Sequence, residues 1–239
     1  MIEILRNCPD ESPVLRGGRT ISGLHDFLDS ILEPYAVRGG HAIDLGAGRG
    51  AFSMRLRELG FKVVAVDIDR EMFRADIPFV RLDLNKPDLS LLVDRPFDFV
   101  AAVALIEHLE NPIELMRTIR SLLKPDGIAL VTTPNMDNVP SRLRFLLTGK
   151  LHMMDEKVPN HIIPIFYDLF TRQYLPRAGL ELIEHRLYPP KGYKVSRSCY
   201  AWASRLLAWL LPGTTLLGDI HIFVVQADIN GCTKPCLFE

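Results

Sequence analysis

The sequence predicts an α/β fold built on a doubly wound parallel sheet. Strand and helix signals alternate from about residue 20 to 133, which is the pattern of such a sheet. A turn with three glycines follows the first predicted strand, within residues 42–50, and acidic residues end the next two strands. Because the carboxyl ends of parallel strands lie at one sheet edge, these features indicate a nucleotide-type site there.

The alternation begins with a helix over residues 24–35, where apolar residues recur at helical spacing until Gly39. The short apolar run 42–45 predicts the first strand, and the glycine turn leads into a helix over 51–59. The run Lys-Val-Val-Ala-Val at 62–66 predicts the second strand. This succession is that of a nucleotide-binding unit.

Two further strands are predicted over 79–82 and 97–103, both of which are short apolar runs. A helix follows over 113–123, because its apolar spacing stops before Pro125. The run 128–132 predicts the fifth strand, which a proline ends.

Beyond residue 134 the regular alternation lapses. Residues 135–165 show no clear periodicity, and a stretch of that length in a compact domain is typical of a lid over a functional site. A helix over 166–178 and strands over 180–187 and 221–227 follow, with a second insertion over 188–219.

The glycine turn alone fits two kinds of ligand. Gly46, Gly48 and Ala51 satisfy the Gly-x-Gly-x-x-Gly/Ala pattern of dinucleotide-binding proteins. Asp67 lies about twenty residues further on, where a carboxylate accepts hydrogen bonds from ribose hydroxyls. Enzymes that use NAD and enzymes that use S-adenosylmethionine share these features.

Two other acids separate these alternatives. Asp83 closes the third strand, where a carboxylate can accept a hydrogen bond from an adenine amino group. Asp44 precedes the first glycine, where it can orient the turn and help to hold an ammonium group. Both positions favour S-adenosylmethionine.

Five motifs occur in order at the spacing of one enzyme family. They are Asp-Leu-Gly-Ala-Gly-Arg-Gly at 44–50, Val-Asp at 66–67, Leu-Asp-Leu at 82–84, the pair Phe-Asp-Phe-Val at 97–100 and Leu-Ile-Glu-His-Leu at 105–109, and Leu-Lys-Pro-Asp-Gly at 123–127. Together they resemble the class I S-adenosylmethionine-dependent methyltransferases, most of all the group that includes the ubiquinone-biosynthesis O-methyltransferases. The resemblance is strong over residues 40–135 and weaker up to Ala227.

The resemblance implies a Rossmann-like sheet of seven strands with the last strand antiparallel, lid-like insertions, and S-adenosyl-L-methionine as the cofactor. It places the methionine part against the glycines, the ribose and adenine on the acids after the second and third strands, and the sulfonium near the end of the fourth strand. The cofactor-binding residues expected on this basis are Asp44, Gly46, Ala47, Gly48, Asp67, Ile68, Asp83, Leu84 and Val103.

Three residues are candidates for the catalytic chemistry. His108 follows the fourth strand at the sheet edge, and its imidazole can act as a general base near neutral pH or can simply pack there. His161, in the first insertion, faces the acceptor from above or else anchors the lid. Glu107 can help His108 to bind a divalent cation, as in some relatives, although the expected site is metal-free.

Composition excludes several classes of function. A net charge of −1 offers no basic stripe for nucleic acid. Residues 1–9 lack a signal-peptide pattern, and no uncharged apolar run reaches the ~20 residues of a membrane span. The cysteines do not form a disulfide scaffold, so we expect a reduced, cytoplasmic environment. These cysteines are Cys8, Cys199, Cys232 and Cys236.

Residues 198–211 form an amphipathic segment if they are helical, with Trp202, Leu206, Trp209 and Leu210 on one face. Three interpretations stay open: packing against the core, covering a hydrophobic substrate, or peripheral contact with a membrane surface.

The sequence therefore predicts a single methyltransferase domain over 1–239, with core segments 20–135 and 166–227 and lid insertions 135–165 and 188–219. We expect a small-molecule acceptor whose hydroxyl is methylated, on a lipid-linked, quinone-type or glycan substrate. Two alternatives are an NAD(P)-dependent oxidoreductase, against which stands the absence of a Tyr-x-x-x-Lys pair, and a non-catalytic adaptor that binds S-adenosylmethionine.

Overall fold

The structure, a computed structural model, describes residues 21–88, 92, 96–154, 156, 158–194 and 215–228. Its strands are β1 (His41–Leu45), β2 (Lys62–Asp67), β3 (Phe79–Arg81), β4 (Phe97–Val103), β5 (Leu123–Pro134), β6 (Leu180–Tyr188) and β7 (Ile220–Ala227). Its α-helices are α1 (Leu24–Leu32), α2 (Ala51–Glu58), α3 (Pro112–Leu122), α4 (Val139–Thr148), α5 (Tyr167–Leu169) and α6 (Leu175–Ala178). Shorter helical turns cover Glu33–Tyr35, Ile106–His108 and, in π-helical form, Phe170–Tyr174.

The strands form one seven-stranded sheet in the order β3-β2-β1-β4-β5-β7-β6. Strands β1 to β5 are parallel to their neighbours within that group, and β7 runs antiparallel to both β5 and β6. The Rossmann-like α/β fold with an antiparallel last strand is therefore confirmed. The carboxyl ends of the parallel strands meet at one edge, where the predicted site residues lie.

Helices cover both faces of the sheet, which explains the continuous apolar runs of its central strands. On one face Leu28 of α1 and Leu56 of α2 are fully buried in one core. On the other face Ile119 of α3 and Phe170 of the π-helical turn are fully buried in a second core. The sheet is thus held rigidly between two apolar layers.

The first insertion differs from the expectation, because residues 135–165 contain a regular helix, α4. The side chain of Asn138 caps this helix by accepting a hydrogen bond from the Ser141 N–H, and Gly149 ends it with a left-handed backbone. Only the start of α4 is buried. Val139, Leu143 and Leu147 recur at helical spacing, but the run is short and the residues at its end are exposed rather than buried in the core.

The other boundaries agree closely with the predicted ones, except that β5 begins at Leu123 rather than at residue 128. Leu123 pairs with Phe97, and the pairing shifts register before Phe99 pairs with Ile128. The Lys-Pro-Asp-Gly segment that resembles a turn is thereby included in the strand. The amphipathic segment 198–211 lies outside the described residues.

The two ends of the first insertion are joined to each other. The carboxylate of Asp137, at the start of the insertion, accepts a hydrogen bond of 2.8 Å from the Tyr167 N–H at its end. The buried His221 places its Nε2 atom 3.4 Å from the same carboxylate. The insertion is therefore closed at its base and fixed to β7.

The chain that leads into β7 is held by the residues that follow β5. The Asn135 side chain donates hydrogen bonds of 2.9 Å to the carbonyls of Thr215 and Leu217. The Asn138 side chain donates one of 2.8 Å to the Gly218 carbonyl. No helix within the described part of the chain is long and apolar enough to cross a bilayer.

Candidate active site

The glycine turn begins with a sharp bend that packs against the loop after β4. The N–H groups of Gly46 and Ala47 both donate to the Val66 carbonyl, at 2.8 and 3.0 Å. Gly46 has φ +73°, and a Cβ atom there would lie 2.7 Å from Leu105 Cδ1. Only glycine fits both the backbone conformation and this contact.

Gly48 presents its backbone to open space. Its N–H donates to Asp67 Oδ2 at 2.8 Å, and its φ is +55°. A Cβ atom at Gly48 would meet only Met72 Cε, at 4.0 Å. Asp67 also accepts a hydrogen bond of 3.0 Å from the Asp69 N–H through Oδ1. The carboxylate therefore holds the turn in place while its remaining lone pairs stay available to a ligand.

Asp44 is buried beneath the turn. Its carboxyl accepts a hydrogen bond of 2.5 Å from the Ser53 hydroxyl of α2. Burial raises the pKa of Asp44 to about 7, and the negative charge of Asp67 also raises it, against the effect of Ser53. A cationic ligand near Asp44 would favour its ionised form.

Three further residues expected to bind the cofactor, Ile68, Asp83 and Leu84, follow β2 and β3 at the same edge. Ile68 is 56% exposed, so it offers an apolar surface to a ligand. Leu84 is buried, and the Asp83 carboxylate accepts a hydrogen bond of 2.9 Å from the Asn85 N–H. Both Asp67 and Asp83 thus cap local turns, and a capping role is compatible with ligand binding because each carboxylate has further lone pairs.

The end of β4 carries a strained residue. Ala104, directly after Val103, has φ +49°, which is uncommon for a residue other than glycine. Its N–H donates a hydrogen bond of 2.9 Å to the Thr132 hydroxyl of β5. Strained backbone of this kind is concentrated at functional sites.

The structure brings the three catalytic candidates together. The His108 and His161 rings meet edge to face with centroids 4.8 Å apart. Ligand atoms of Glu107, His108 and His161 all lie within 4.8 Å of one another. The insertion reaches this position because the Ile162 N–H donates to the Glu107 carbonyl at 2.9 Å.

Backbone carbonyls fix the tautomers of both histidines. His108 Nδ1 lies 2.8 Å from the Asn160 carbonyl, and His161 Nδ1 lies 2.8 Å from the Met153 carbonyl. Since a carbonyl oxygen only accepts, each Nδ1 must carry the proton. Each neutral ring therefore has its lone pair on Nε2.

The electrostatics of the cluster favour uncharged groups. Glu107 is 2% exposed, and burial raises its pKa to about 7. Its Oε2 atom has no hydrogen-bond partner among the described residues. Burial lowers the pKa of His161, and the neighbouring His108 lowers it further. The cluster can accept a proton, or its donor atoms could hold a divalent cation.

These residues fit S-adenosylmethionine. The open face of Gly48 leaves room for a ligand in the place where a side chain would stand. Ile68 offers an apolar surface, and Asp67 and Asp83 offer acceptors for hydroxyl and amino groups. The fold and this edge define the class I S-adenosylmethionine-dependent methyltransferases.

A family model described as a methyltransferase domain matches residues 18–185. The chain belongs to this methyltransferase domain family. Membership of this family argues against an NAD(P)-dependent oxidoreductase, the other class of enzyme that the glycine pattern allows.

Curated relatives include the ubiquinone biosynthesis O-methyltransferase of Xanthomonas axonopodis pv. citri (strain 306). It is 26% identical over 175 residues, which cover 69% of this chain and 72% of that protein. The protein of the same name from Caulobacter vibrioides is 36% identical over 101 residues, or 39% and 40% of the two chains. The chain spans about half the length of other such relatives, 48% for that of Xanthomonas campestris pv. campestris (strain B100).

Solved structures show the same fold at low identity. A SAM-dependent methyltransferase from Archaeoglobus fulgidus has a TM-score of 0.55 and 21% identity, covering 84% of this chain and 93% of its own. The 1,6-didemethyltoxoflavin-N1-methyltransferase of Burkholderia thailandensis, solved with S-adenosylhomocysteine, has a TM-score of 0.55 and 16% identity, covering 85% and 77%.

Two residues at the end of β5, Thr132 and Thr133, lie behind the site and are not among the residues predicted from the sequence. Thr132 holds Ala104, and the buried Thr133 follows it along the strand. Two polar residues at the end of an otherwise apolar strand are the signal that could have indicated them.

Proposed function

We propose that this protein transfers a methyl group from S-adenosylmethionine to a hydroxyl of a small-molecule acceptor. The observation that carries the proposal is the pair of imidazoles, His108 and His161, which meet edge to face after β4 and carry their lone pairs on Nε2. A hydroxyl is a weak nucleophile until its proton is removed, and a neutral imidazole is suited to that task.

The glycine turn and its acids bind and orient the cofactor. S-adenosylmethionine supplies an electrophilic methyl group on a good leaving group. The open face of the turn at Gly48 receives one end of the cofactor, and the Asp67 and Asp83 carboxylates accept hydrogen bonds from the other. Positioning of the two reactants can account for about 7–11 kcal/mol of the barrier, which is the larger part of catalysis.

His108 removes the proton of the acceptor hydroxyl through Nε2. The Asn160 carbonyl keeps Nδ1 protonated and so stabilises the imidazolium that forms. His161 orients the hydroxyl from the side of the insertion. A general base typically contributes about 10²–10⁴-fold, so loss of His108 slows the reaction without preventing cofactor binding.

The same three side chains support a second mechanism, in which a divalent cation held by Glu107, His108 and His161 activates the hydroxyl. Buried histidines that ligate metals also donate Nδ1–H to carbonyls. Activity measured after exhaustive chelation, and after return of Mg²⁺, Mn²⁺ or Zn²⁺, separates the two mechanisms. Full activity in chelator supports the metal-free site.

The class of acceptor is inferred from the relatives and from the residues. The relatives named ubiquinone biosynthesis O-methyltransferase support a hydroxyl on a quinone-type acceptor. The proposal also includes lipid-linked and glycan acceptors. The cysteine pattern supports a cytoplasmic location. Peripheral membrane contact through residues 198–211 is proposed on their amphipathic pattern alone.

Calorimetric titration with S-adenosylhomocysteine tests cofactor binding, with NADH in parallel and Asp67→Ala as a control. Micromolar binding of S-adenosylhomocysteine that the variant loses, with no binding of NADH, supports the proposal. Absence of binding refutes it.

Formation of S-adenosylhomocysteine with phenolic, prenylated and glycan acceptors then tests catalysis. His108→Gln keeps a donor for the Asn160 carbonyl but cannot take a proton. A loss of about 10²–10⁴-fold in kcat with unchanged cofactor affinity supports the base. Unchanged turnover in this variant would show that His108 is not the base. If the wild type turns over none of the acceptors, the result favours the non-catalytic adaptor.

A further inference from the structure

The second half of α4 is exposed on more than one side. Residues 145–150 are consecutive and all exposed. Among them Phe145 is 55% exposed, Leu146 78% and Leu147 73%. Neighbouring helix positions point about 100° apart, so these three large apolar side chains cover more than half of the helix circumference. A surface of this kind is unusual in a protein that meets only water.

The first half of α4 is firmly anchored. Val139 and Ser141 are buried, and the Asn138 side chain caps the helix while donating to the Gly218 carbonyl. The apolar end, Phe145 to Leu147, is therefore a projecting turn on a fixed base. The helix that carries this turn begins at Val139, soon after β5 ends at Pro134 on the edge of the sheet that carries the site.

Basic residues surround this apolar turn. Arg142 and Lys150 are exposed and Arg144 is half-buried, while residues 138–154 contain no acidic residue. Acids border this stretch at Asp137 on one side and at Asp155 on the other. The Asp137 carbonyl accepts a hydrogen bond of 2.6 Å from Arg142 Nε, and its carboxylate lies 3.8 Å from another Arg142 nitrogen. A basic segment in a chain of net charge −1 favours an anionic partner.

We propose that the turn Phe145–Leu146–Leu147 inserts into the interface of a bilayer that contains anionic lipid. Lipid tails can surround an inserted group on several sides, and the three apolar side chains of this turn point in several directions. A rigid protein surface would cover only one side of the turn. The basic residues then lie at the level of the phosphates, where each charge strengthens binding about fivefold. Docking in this way places the edge of the active site at the membrane surface, where a lipid-linked acceptor resides. Only that last consequence depends on the proposed function.

Vesicle co-sedimentation tests the proposal, with phosphatidylcholine vesicles and vesicles in which phosphatidylglycerol replaces part of that lipid. The full chain is expected to bind only the anionic vesicles, and salt is expected to weaken binding. Leu146→Glu with Leu147→Glu is expected to lower binding at least about tenfold, because each substitution replaces an apolar contact by a charge of the lipid's own sign. Arg144→Gln with Lys150→Gln is expected to weaken binding to the anionic vesicles and to make the remaining binding less sensitive to salt.

Val37→Glu is the matched control, since Val37 is 49% exposed and precedes β1, at the amino ends of the strands, whereas α4 follows the carboxyl end of β5. Each variant must bind S-adenosylhomocysteine as the wild type does, or, if none binds it, must show the same circular dichroism and urea midpoint. Failure of the proposed function is thereby distinguished from failure of docking. No binding of the wild type to anionic vesicles overturns the proposal, as does equal binding by the double glutamate variant or an equal loss in Val37→Glu.

Discussion

Replacement of Gly48 by alanine is expected to prevent cofactor binding at little cost to the fold. Gly48 has φ +55°, and an alanine Cβ there would meet only Met72 Cε, at 4.0 Å. An L-residue in this backbone region costs about 1–2 kcal/mol, so the free energy of unfolding should fall by about that amount. The new methyl group stands on the open face of the turn, where the cofactor is expected, so its affinity should fall at least about tenfold.

Two other glycines provide matched controls. Gly39 has φ +77° and nothing within 4 Å of its added Cβ, so Gly39→Ala measures backbone strain alone. Gly46 has φ +73°, but its added Cβ would lie 2.7 Å from Leu105 Cδ1. Gly46→Ala should therefore lose about 2–5 kcal/mol, because overpacking adds about 1–3 kcal/mol to the strain.

Urea unfolding followed by circular dichroism gives the stability of the three variants, and calorimetry gives their affinity for S-adenosylhomocysteine. We expect Gly39→Ala and Gly48→Ala to be equally stable, and only Gly39→Ala to keep the wild-type affinity for S-adenosylhomocysteine. Wild-type affinity in Gly48→Ala would refute the assignment of the turn as the cofactor cradle. If Gly48→Ala lost as much stability as Gly46→Ala, the conclusion that a Cβ atom fits at Gly48 without a clash would be wrong.

Three further predictions concern groups around the edge of the sheet. Burial, with a contribution from His221, lowers the pKa of His185 from 6.5 to about 4; between these values only the unfolded chain takes up the proton, so stability should fall as the pH drops through this window, and urea titrations should show a smaller fall for His185→Gln. Burial raises the pKa of Glu107 from 4.5 to about 7, so folding opposes its ionisation as the pH rises through that range; Glu107→Gln should be more stable than the wild type at pH 8 by up to about 3 kcal/mol, and equal stability in chelator would contradict this. Thr132→Val should cost about 1–3 kcal/mol, because it leaves the Ala104 N–H unpaired, and should raise KM for S-adenosylmethionine more than it lowers kcat; unchanged kinetics would show that Ala104 does not position the cofactor.

The central strands could be predicted from the sequence because they are buried on both faces. β1, β2 and β4 are short, mostly apolar runs, and the structure places their bounds within one residue of the prediction. α4 was not predicted although Val139, Leu143 and Leu147 recur at helical spacing, because the run is only ten residues long and has basic residues on both sides of Leu143.

The residue types of the candidate site could also be predicted, but their arrangement could not. Acids and glycines after parallel strands must meet at one edge, which brings Asp67 next to Gly48. The proximity of His161 to His108 depends on the path of the insertion, and their tautomers depend on the carbonyls of Asn160 and Met153. Every residue has a carbonyl, so no sequence signal distinguishes those two. The catalytic roles of the histidines stay predictions.

The closed base of the first insertion has a consequence for how this enzyme can diversify. Because Asp137 binds the Tyr167 N–H, the intervening segment begins and ends at the same place on the sheet. Its length can change at a cost of only about 0.6 kcal/mol per doubling, with the strand register untouched. A segment grafted between these two residues would bring a different side chain opposite His108. On the proposed mechanism, exchange of this segment would change the choice of acceptor and leave the residues that bind the methyl donor unchanged.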